Sequence, residues 1–334
     1  MKNEVINFLD LFSGVGGFRY SIEKVCKNAN CVGYSEIDKF ALLTYKSNFK
    51  IKSTELELGD INNIDIKTIP NFDILFAGFP CQPFSLMGKN KGFNDIRGTL
   101  FFSIEKILNI KKPKLFLLEN VRGLLKNNNG ETYKTIIKKL EKIGYYTLTF
   151  VLNSKYYGVP QNRRRVYILG FLDKKLRDSI SIPKKINSKL TTWHLLEKEV
   201  DEKYYLSEKI LKTILADGSG KFKSKSEINP IIARPLTATM HKMHRACQDN
   251  YFSDSFILGN FNNQNKSVTK KNLGINRIRK ITPLEAFRLQ GYSDVFVKNA
   301  YKNKISNTQL YKQAGNSITI NVVESILKEI LSKY

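Results

Sequence analysis

The chain is short of three things. It has four cysteines, Cys26, Cys31, Cys81 and Cys247, in 334 residues, too few for a disulfide scaffold of this size and in keeping with a reducing cytosol. No apolar run approaches the ~20 residues that a membrane helix needs. The N-terminus, MKNEVINFLDLFSG, runs into an acidic residue and glycines and does not read as a signal peptide. Acid is the third scarcity: 30 Asp and Glu stand against 55 Lys and Arg, a formal net charge of +25. Such an excess fits a polyanionic partner, nucleic acid above all. Composition alone leaves open the alternative that the lysines only solvate the surface. The 42% hydrophobic content permits a substantial core, in one large domain or two unequal ones.

The first half of the chain alternates short apolar runs with helical patterns. VINFLDLF (5–12), CVGYSEI (31–37), FDILFAGF (72–79), KLFLLEN (114–120) and VYILGF (166–171) predict strands, with helices near 18–26 and 100–110. Strands that are apolar throughout and separated by helices predict an α/β fold, a mainly parallel sheet with helices on both faces. After about Phe171 the period is lost, and Gly, Ser, Asn and Lys dominate up to about Asn276, which predicts a smaller, irregular domain. Regular structure returns in TPLEAFRLQG, a helix with Thr282 as N-cap, Pro283 at its first position and Gly291 as C-cap, and in the amphipathic helix of NSITINVVESILKEILSKY. No internal repeat or low-complexity tail is present.

Three strand ends carry chemistry. Phe12, Gly14, Gly16 and Gly17 form a glycine-rich turn between the first strand and its helix, where backbone can approach a nucleotide-like ligand. Glu36 lies 19 residues beyond Gly17 and ends the second strand, placed to accept ribose hydroxyls, and Asp60 is placed to hold an adenine amino group. The glycine spacing is not the dinucleotide fingerprint, so an adenosine ligand without phosphates, such as S-adenosylmethionine, fits better than one with a pyrophosphate. Cys81 follows another strand, pinned by Pro80 and Pro83, with Lys89, Lys91 and Arg97 in the loop beyond. It reads either as a buried structural thiol or as a reactive thiolate near cations. Glu119 ends a third strand, as a helix-capping acid or a catalytic one. Arg163, Arg164 and Arg165 enter a fourth, as a solvated basic turn or as a source of an arginine that stabilises charge developing on a substrate oxygen.

The motifs DLFSGVGGF, SEID, GDI, GFPCQPFS, RGTLFF, ENV, QNRRRVYILG, RKITPLEAFRLQGY and QAGNS occur in that order. In this the chain closely resembles bacterial DNA (cytosine-5-)-methyltransferases, the modification partners of restriction enzymes; only about 173–276 falls outside the likeness. The resemblance implies the S-adenosylmethionine-dependent methyltransferase fold, Rossmann-like, with a target-recognition domain. It divides the chain into a catalytic and cofactor-binding domain (1–185 and 305–334), a target-recognition domain (186–276) and a hinge segment (277–304). By the same resemblance Cys81 is the nucleophile that adds to carbon 6 of a flipped-out cytosine, Glu119 faces ring nitrogen 3, Arg165 faces the base carbonyl, and Arg163 supports it. Phe18, Glu36, Ile37, Asp60, Ile61, Leu100, Asn316 and Ser317, with Pro80 beside them, would hold S-adenosylmethionine, which leaves as S-adenosylhomocysteine; no metal is implied. Ser85–Gly98 would close as a lid, with Ser85 and Arg97 touching DNA. The family implies a monomer acting on double-stranded DNA in the bacterial cytoplasm, away from membranes, with a cognate restriction endonuclease as a functional partner. Phe79 stands where the family more often has proline.

Within ARPLTATMHKMHRACQDN, the Leu236-Thr237 pair resembles a short family signature, by which Thr237 would touch DNA, and Arg234 is a candidate for a guanine contact, worth about 1–3 kcal/mol of discrimination, or for a phosphate grip. Which of Arg234, His241, His244 and Arg245 read bases is left open. His241, His244 and Cys247 lack a fourth zinc ligand nearby. The tRNA-modifying branch of the family usually has Cys-Phe-Thr after ENV; here RGL follows, which favours DNA. A nicotinamide-dependent oxidoreductase would leave Cys81, Glu119 and Arg165 without a task, and a non-catalytic DNA-binding protein would have no need to keep them.

Overall fold

The computed structural model describes residues 4–80, 99–216, 227–242, 244–245, 248–259 and 277–333, together with the backbone of 218–219 and 222–223. The chain forms two compact units, Met1–Leu152 with Arg164–Lys184 and Val322–Tyr334, and Asn153–Arg163 with Lys185–Asn321.

The first unit is built on a seven-stranded sheet: β1 (Ile6–Leu11), β2 (Ala29–Ser35), β3 (Leu56–Glu57), β4 (Ile74–Gly78), β5 (Leu115–Val121), β6 (Tyr146–Asn153) and β7 (Arg164–Phe171), in the order β3-β2-β1-β4-β5-β7-β6. The pairs β1/β2, β1/β4, β2/β3 and β4/β5 are parallel, and β5/β7 is antiparallel. β4 and β5 are buried along nearly their whole length, which is why they read as continuous apolar runs rather than as alternation. Their side chains join Leu9, Leu11, Ile104, Leu108, Ile136 and Leu140 in one core. The helices α1 (Gly17–Val25), α2 (Lys39–Asn48), α3 (Thr99–Lys111) and α4 (Glu131–Lys142) connect these strands.

Two strands escaped the sequence reading. β3 is only two residues long, and β6 mixes exposed, half-buried and buried positions, with Tyr146 and Val151 facing solvent. Reversal of β7 also went unread, because an apolar run carries no direction. Strand order changes side at β1, whose neighbours are β2 and β4, so the crevice favoured for ligands in such sheets opens at the carboxyl ends of β1 and β4.

The second unit has short elements. Tyr251–Ser253 pairs antiparallel with Ile278–Lys280, over a small core of Ile214, Ile228, Tyr251 and Ile278. The helix Pro283–Leu289 has Thr282 as its N-cap, as the sequence predicts, and Glu285 completes a reciprocal box with it. Its C-cap is Gln290, one place before the predicted Gly291, which follows with φ 88°. Contacts group 277–321 with 185–276, whereas the sequence division drew a hinge at 277–304. The physical tie is the buried Arg279–Glu285 pair, at 2.6 and 2.9 Å, which binds the strand 278–280 to the helix after it.

Candidate active site

At the end of β1 the chain turns sharply. Phe12 (φ 53°), Gly14 (φ 55°) and Gly16 (φ 86°) are all left-handed, and the two glycines are required for different reasons. A side chain on Gly16 would meet the Phe49 and Tyr45 rings at 2.3 and 2.8 Å, whereas one on Gly14 would meet nothing within 4 Å. Gly16 is therefore a packing glycine under α2, and Gly14 leaves open space above the turn. Gly17 opens α1. Phe18 is buried and stacks on Phe76 of β4, centroids 5.2 Å apart and nearly parallel.

Glu36, at the carboxyl end of β2, is locked by three backbone amides. Its Oε2 accepts from Gly14 N, and its Oε1 accepts from Ile37 N and Asp38 N, each at 2.8 Å. The carboxylate thus occupies an amide of the glycine turn that a pyrophosphate would need, and sets negative charge where phosphate would be repelled. Adenosine without phosphates fits that donor set. Ile37 beside it is 77% exposed, an apolar surface at the ligand edge of the sheet. Asp60 caps a short turn by accepting from Asn62 N at 2.9 Å, Ile61 is buried, and Leu100 packs on the core. Asn316, exposed, and Ser317, whose hydroxyl lies 2.6 Å from that of Tyr292, belong to the second unit.

Beneath the turn lies an acid that the sequence reading passed over. Asp10 on β1 is fully buried and neither of its oxygens makes a close hydrogen bond. Burial pushes its carboxyl up to about 8, with the Arg19 charge and amide offsetting only part of that cost. Arg19 itself is a buried hub, paired with Glu55, with Glu23 at 2.7 Å and with the Tyr45 hydroxyl at 3.0 Å.

β4 ends at Gly78 and leads through buried Phe79 and exposed Pro80 into residues 81–98. Cys81, Ser85 and Arg97 fall there, outside the described residues. What can be seen is how the approach to Cys81 is fixed: Asn120 of β5, buried, donates from Nδ2 to Phe79 O at 3.0 Å. Its place in ENV was the available signal, and no role was read from it.

Glu119 and Arg165 meet. In the antiparallel pair, Glu119 stands opposite Tyr167 and Val121 opposite Arg165, so Glu119 and Arg165 share a face one step apart. Arg165 Nε lies 3.1 Å from Glu119 Oε1, with the side chains 16% and 11% exposed. Reversal of β7 is what brings the start of that strand to the edge where the parallel strands end. Arg163 belongs to the second unit, buried, where it donates to the carbonyls of Leu236 (2.9 Å), Gly315 (3.1 Å) and Ser317 (2.7 Å).

In the same unit Arg234 is gripped through its backbone. Its N–H donates to Asn250 Oδ1 at 2.8 Å, and its guanidinium lies 3.5 Å from Glu227. Thr237 is half-buried. Among the described residues there is no cluster of metal-ligating side chains, and Cys247 lies outside them. No helix among them is long and apolar enough to cross a membrane.

Residues 6–332 match the family described as C-5 cytosine-specific DNA methylase. The chain is similar to the Type II methyltransferase M1.ScrFI of Lactococcus lactis subsp. cremoris, 38% identical over 333 residues, spanning 99% of this chain and 79% of the relative. It is also similar to the Type II methyltransferase M.NlaX of Neisseria lactamica, 37% identical over 326 residues, 98% and 96% of the two chains. Among solved structures, the Entamoeba histolytica methyltransferase EhMeth superposes with a TM-score of 0.75 at 23% identity over 99% of each chain, a likeness of fold. With that fold, a pair of opposite charges at the ligand edge of its sheet and a family match over nearly its whole length, the chain belongs to the C-5 cytosine-specific DNA methylases and is a DNA (cytosine-5-)-methyltransferase.

Proposed function

We propose that the chain methylates carbon 5 of a cytosine turned out of duplex DNA, within one short sequence context, and so shields host DNA from a cognate restriction endonuclease. The observation that carries this reading is the Glu119–Arg165 pair at the carboxyl edge of β4 and β5, beside the strand whose end leads into Cys81.

Carbon 5 of cytosine is a poor nucleophile. In the proposed reaction the Cys81 thiolate adds to carbon 6, the carbon 5–carbon 6 electron pair moves toward carbon 5, and negative charge builds at nitrogen 3 and the carbonyl oxygen. Glu119 holds a proton at nitrogen 3 and Arg165 donates to the carbonyl oxygen, so both favour the transition state over the bound base. S-adenosylmethionine, when bound, supplies an electrophilic methyl group. Loss of the carbon 5 proton to a base then restores the double bond as the sulfur–carbon 6 bond breaks. Glu36, fixed by its three amides, would accept the ribose hydroxyls, with Ile37 and Phe18 covering the adenosine. Base extrusion follows from need, since carbon 6 is out of reach within the stack.

Single-turnover methyl transfer tests the role of Glu119. Glu119→Gln should lower the rate by about 10²-fold or more while the dissociation constant of S-adenosylhomocysteine stays within about twofold. A parallel loss of rate and of cofactor affinity would make Glu119 a structural residue and remove the basis of the mechanism.

A further inference from the structure

Arg245 lies where the sequence left base reading and phosphate contact open, yet its guanidinium is already committed. Nη2 donates to Thr237 Oγ1 at 2.8 Å and to Asp249 Oδ1 at 3.0 Å, Nη1 donates to Thr239 Oγ1 at 3.1 Å, and Nε faces Asp249 Oδ2 at 3.4 Å. The Arg245 amide also donates to Asp249 Oδ2, at 2.9 Å. An arginine has five N–H donors, and here the parallel pairs needed to read the acceptor edge of guanine are taken.

The effect falls on the two threonines. A hydroxyl that accepts from a guanidinium presents its own proton elsewhere, so Thr237 and Thr239 become donors. Their carbonyls are engaged too, accepting from Met240 N at 3.2 Å and Lys242 N at 3.0 Å, which fixes the turn that carries them. From behind, a Cβ on Gly315 would stand 2.2 Å from the Thr237 carbonyl carbon, and Arg163 holds the carbonyl of Leu236. The result is a rigid, uncharged pair of hydroxyl donors, Thr237 half-buried and Thr239 exposed. Its complement is a group with acceptors and no proton of its own, as the oxygens of a phosphodiester are.

We propose that Thr237 and Thr239 grip a phosphate of the DNA backbone, and that Arg245 with Asp249 is a positioning pair that holds both hydroxyls as donors without touching the nucleic acid. This rests on the DNA-methyltransferase reading. Uncharged donors leave a distinct mark: a Lys or Arg on a phosphate releases counterions and steepens the salt dependence of binding, and a hydroxyl does not.

The test is equilibrium binding of the full chain, with S-adenosylhomocysteine, to a duplex carrying the context it methylates, over a series of salt concentrations. Thr237→Val with Thr239→Val should weaken binding about ten- to a hundredfold with an unchanged salt slope, and the corresponding Ser replacements should retain affinity. Arg245→Gln with Asp249→Asn, which keeps the net charge, should weaken binding comparably in the parent and add little in the double-Val background. Melting temperatures check that each variant is folded. Should the neutral pair melt early, Arg245→Lys replaces it, since lysine keeps the charge but loses the fork. A salt slope lower by about one in the Arg245→Gln variant, losses that multiply between the two sets, or unchanged binding in the double-Val variant would each overturn the proposal. The parent's own methylation of the duplex separates the two readings: without it the functional reading fails, and with it the inference stands or falls alone.

Discussion

At the ligand edge of the first unit, side chains are held by regular structure. Glu36 takes its place from the end of β2 and three amides, and Glu119 and Arg165 from the register of β5 against β7. In the aperiodic stretch of the second unit the dependence runs the other way, and irregular backbone is held by buried side chains. Arg163 ties the carbonyls of Leu236, Gly315 and Ser317 together, Gln161 accepts from Leu236 N at 3.2 Å and donates to Leu289 O at 2.8 Å, and Asn250 braces Arg234. A sheet edge keeps its geometry when one side chain is changed. A segment without a ladder of its own depends on each brace, and its sequence can vary wherever the braces remain.

The largest test of that contrast is Gly315→Ala. The added methyl meets the Thr237–Ala238 backbone at 2.2–2.4 Å, and backbone cannot turn aside as a side chain can. The expected cost is roughly 3 kcal/mol, seen in denaturant unfolding, with DNA binding weakened. An unfolding midpoint equal to the parent's would break the comparison.

An effect that depends on pH is expected within the first unit itself. The folded pKa of Asp10 is raised from 3.8 to about 8, so the folded state binds the extra proton between those values and stability falls as pH rises through that window. Asp10→Asn should match the parent near pH 4 and exceed it by on the order of a few kcal/mol near pH 8. Identical pH profiles for the two proteins would mean that Asp10 ionises without cost.

The smallest expected change sharpens the account of the ligand edge. Glu36→Gln keeps the shape but turns an amide toward N–H groups, and should weaken S-adenosylmethionine binding by about tenfold, roughly 1.4 kcal/mol, with little loss of stability. Calorimetric titration would show this; unchanged affinity would remove Glu36 from the cofactor site.

What the sequence made legible follows the same division. β1, β4 and β5 could be read because strands buried on both faces are apolar runs, and Glu119 near the end of β5 stood out against its run. β6 hid because an edge strand mixes exposed and buried positions, and the reversal of β7 hid because direction is not encoded in composition. The meeting of Glu119 with Arg165 depends on that reversal, so the residues could be named but not their register. Asp10 was overlooked because one acid in VINFLDLF does not interrupt an apolar run. The commitments of Arg163 and Arg245 were unreadable for a further reason: their partners are carbonyls and hydroxyls of an aperiodic segment, which leave no pattern in spacing.

The most direct measurement is bisulfite sequencing of plasmid DNA from a host without cytosine methylation, expressing either this chain or its Cys81→Ala variant. The account predicts protected cytosines confined to one short context with the parent and none with the variant. Protection that persists in the variant, or is absent with folded, S-adenosylmethionine-binding parent protein, would contradict it.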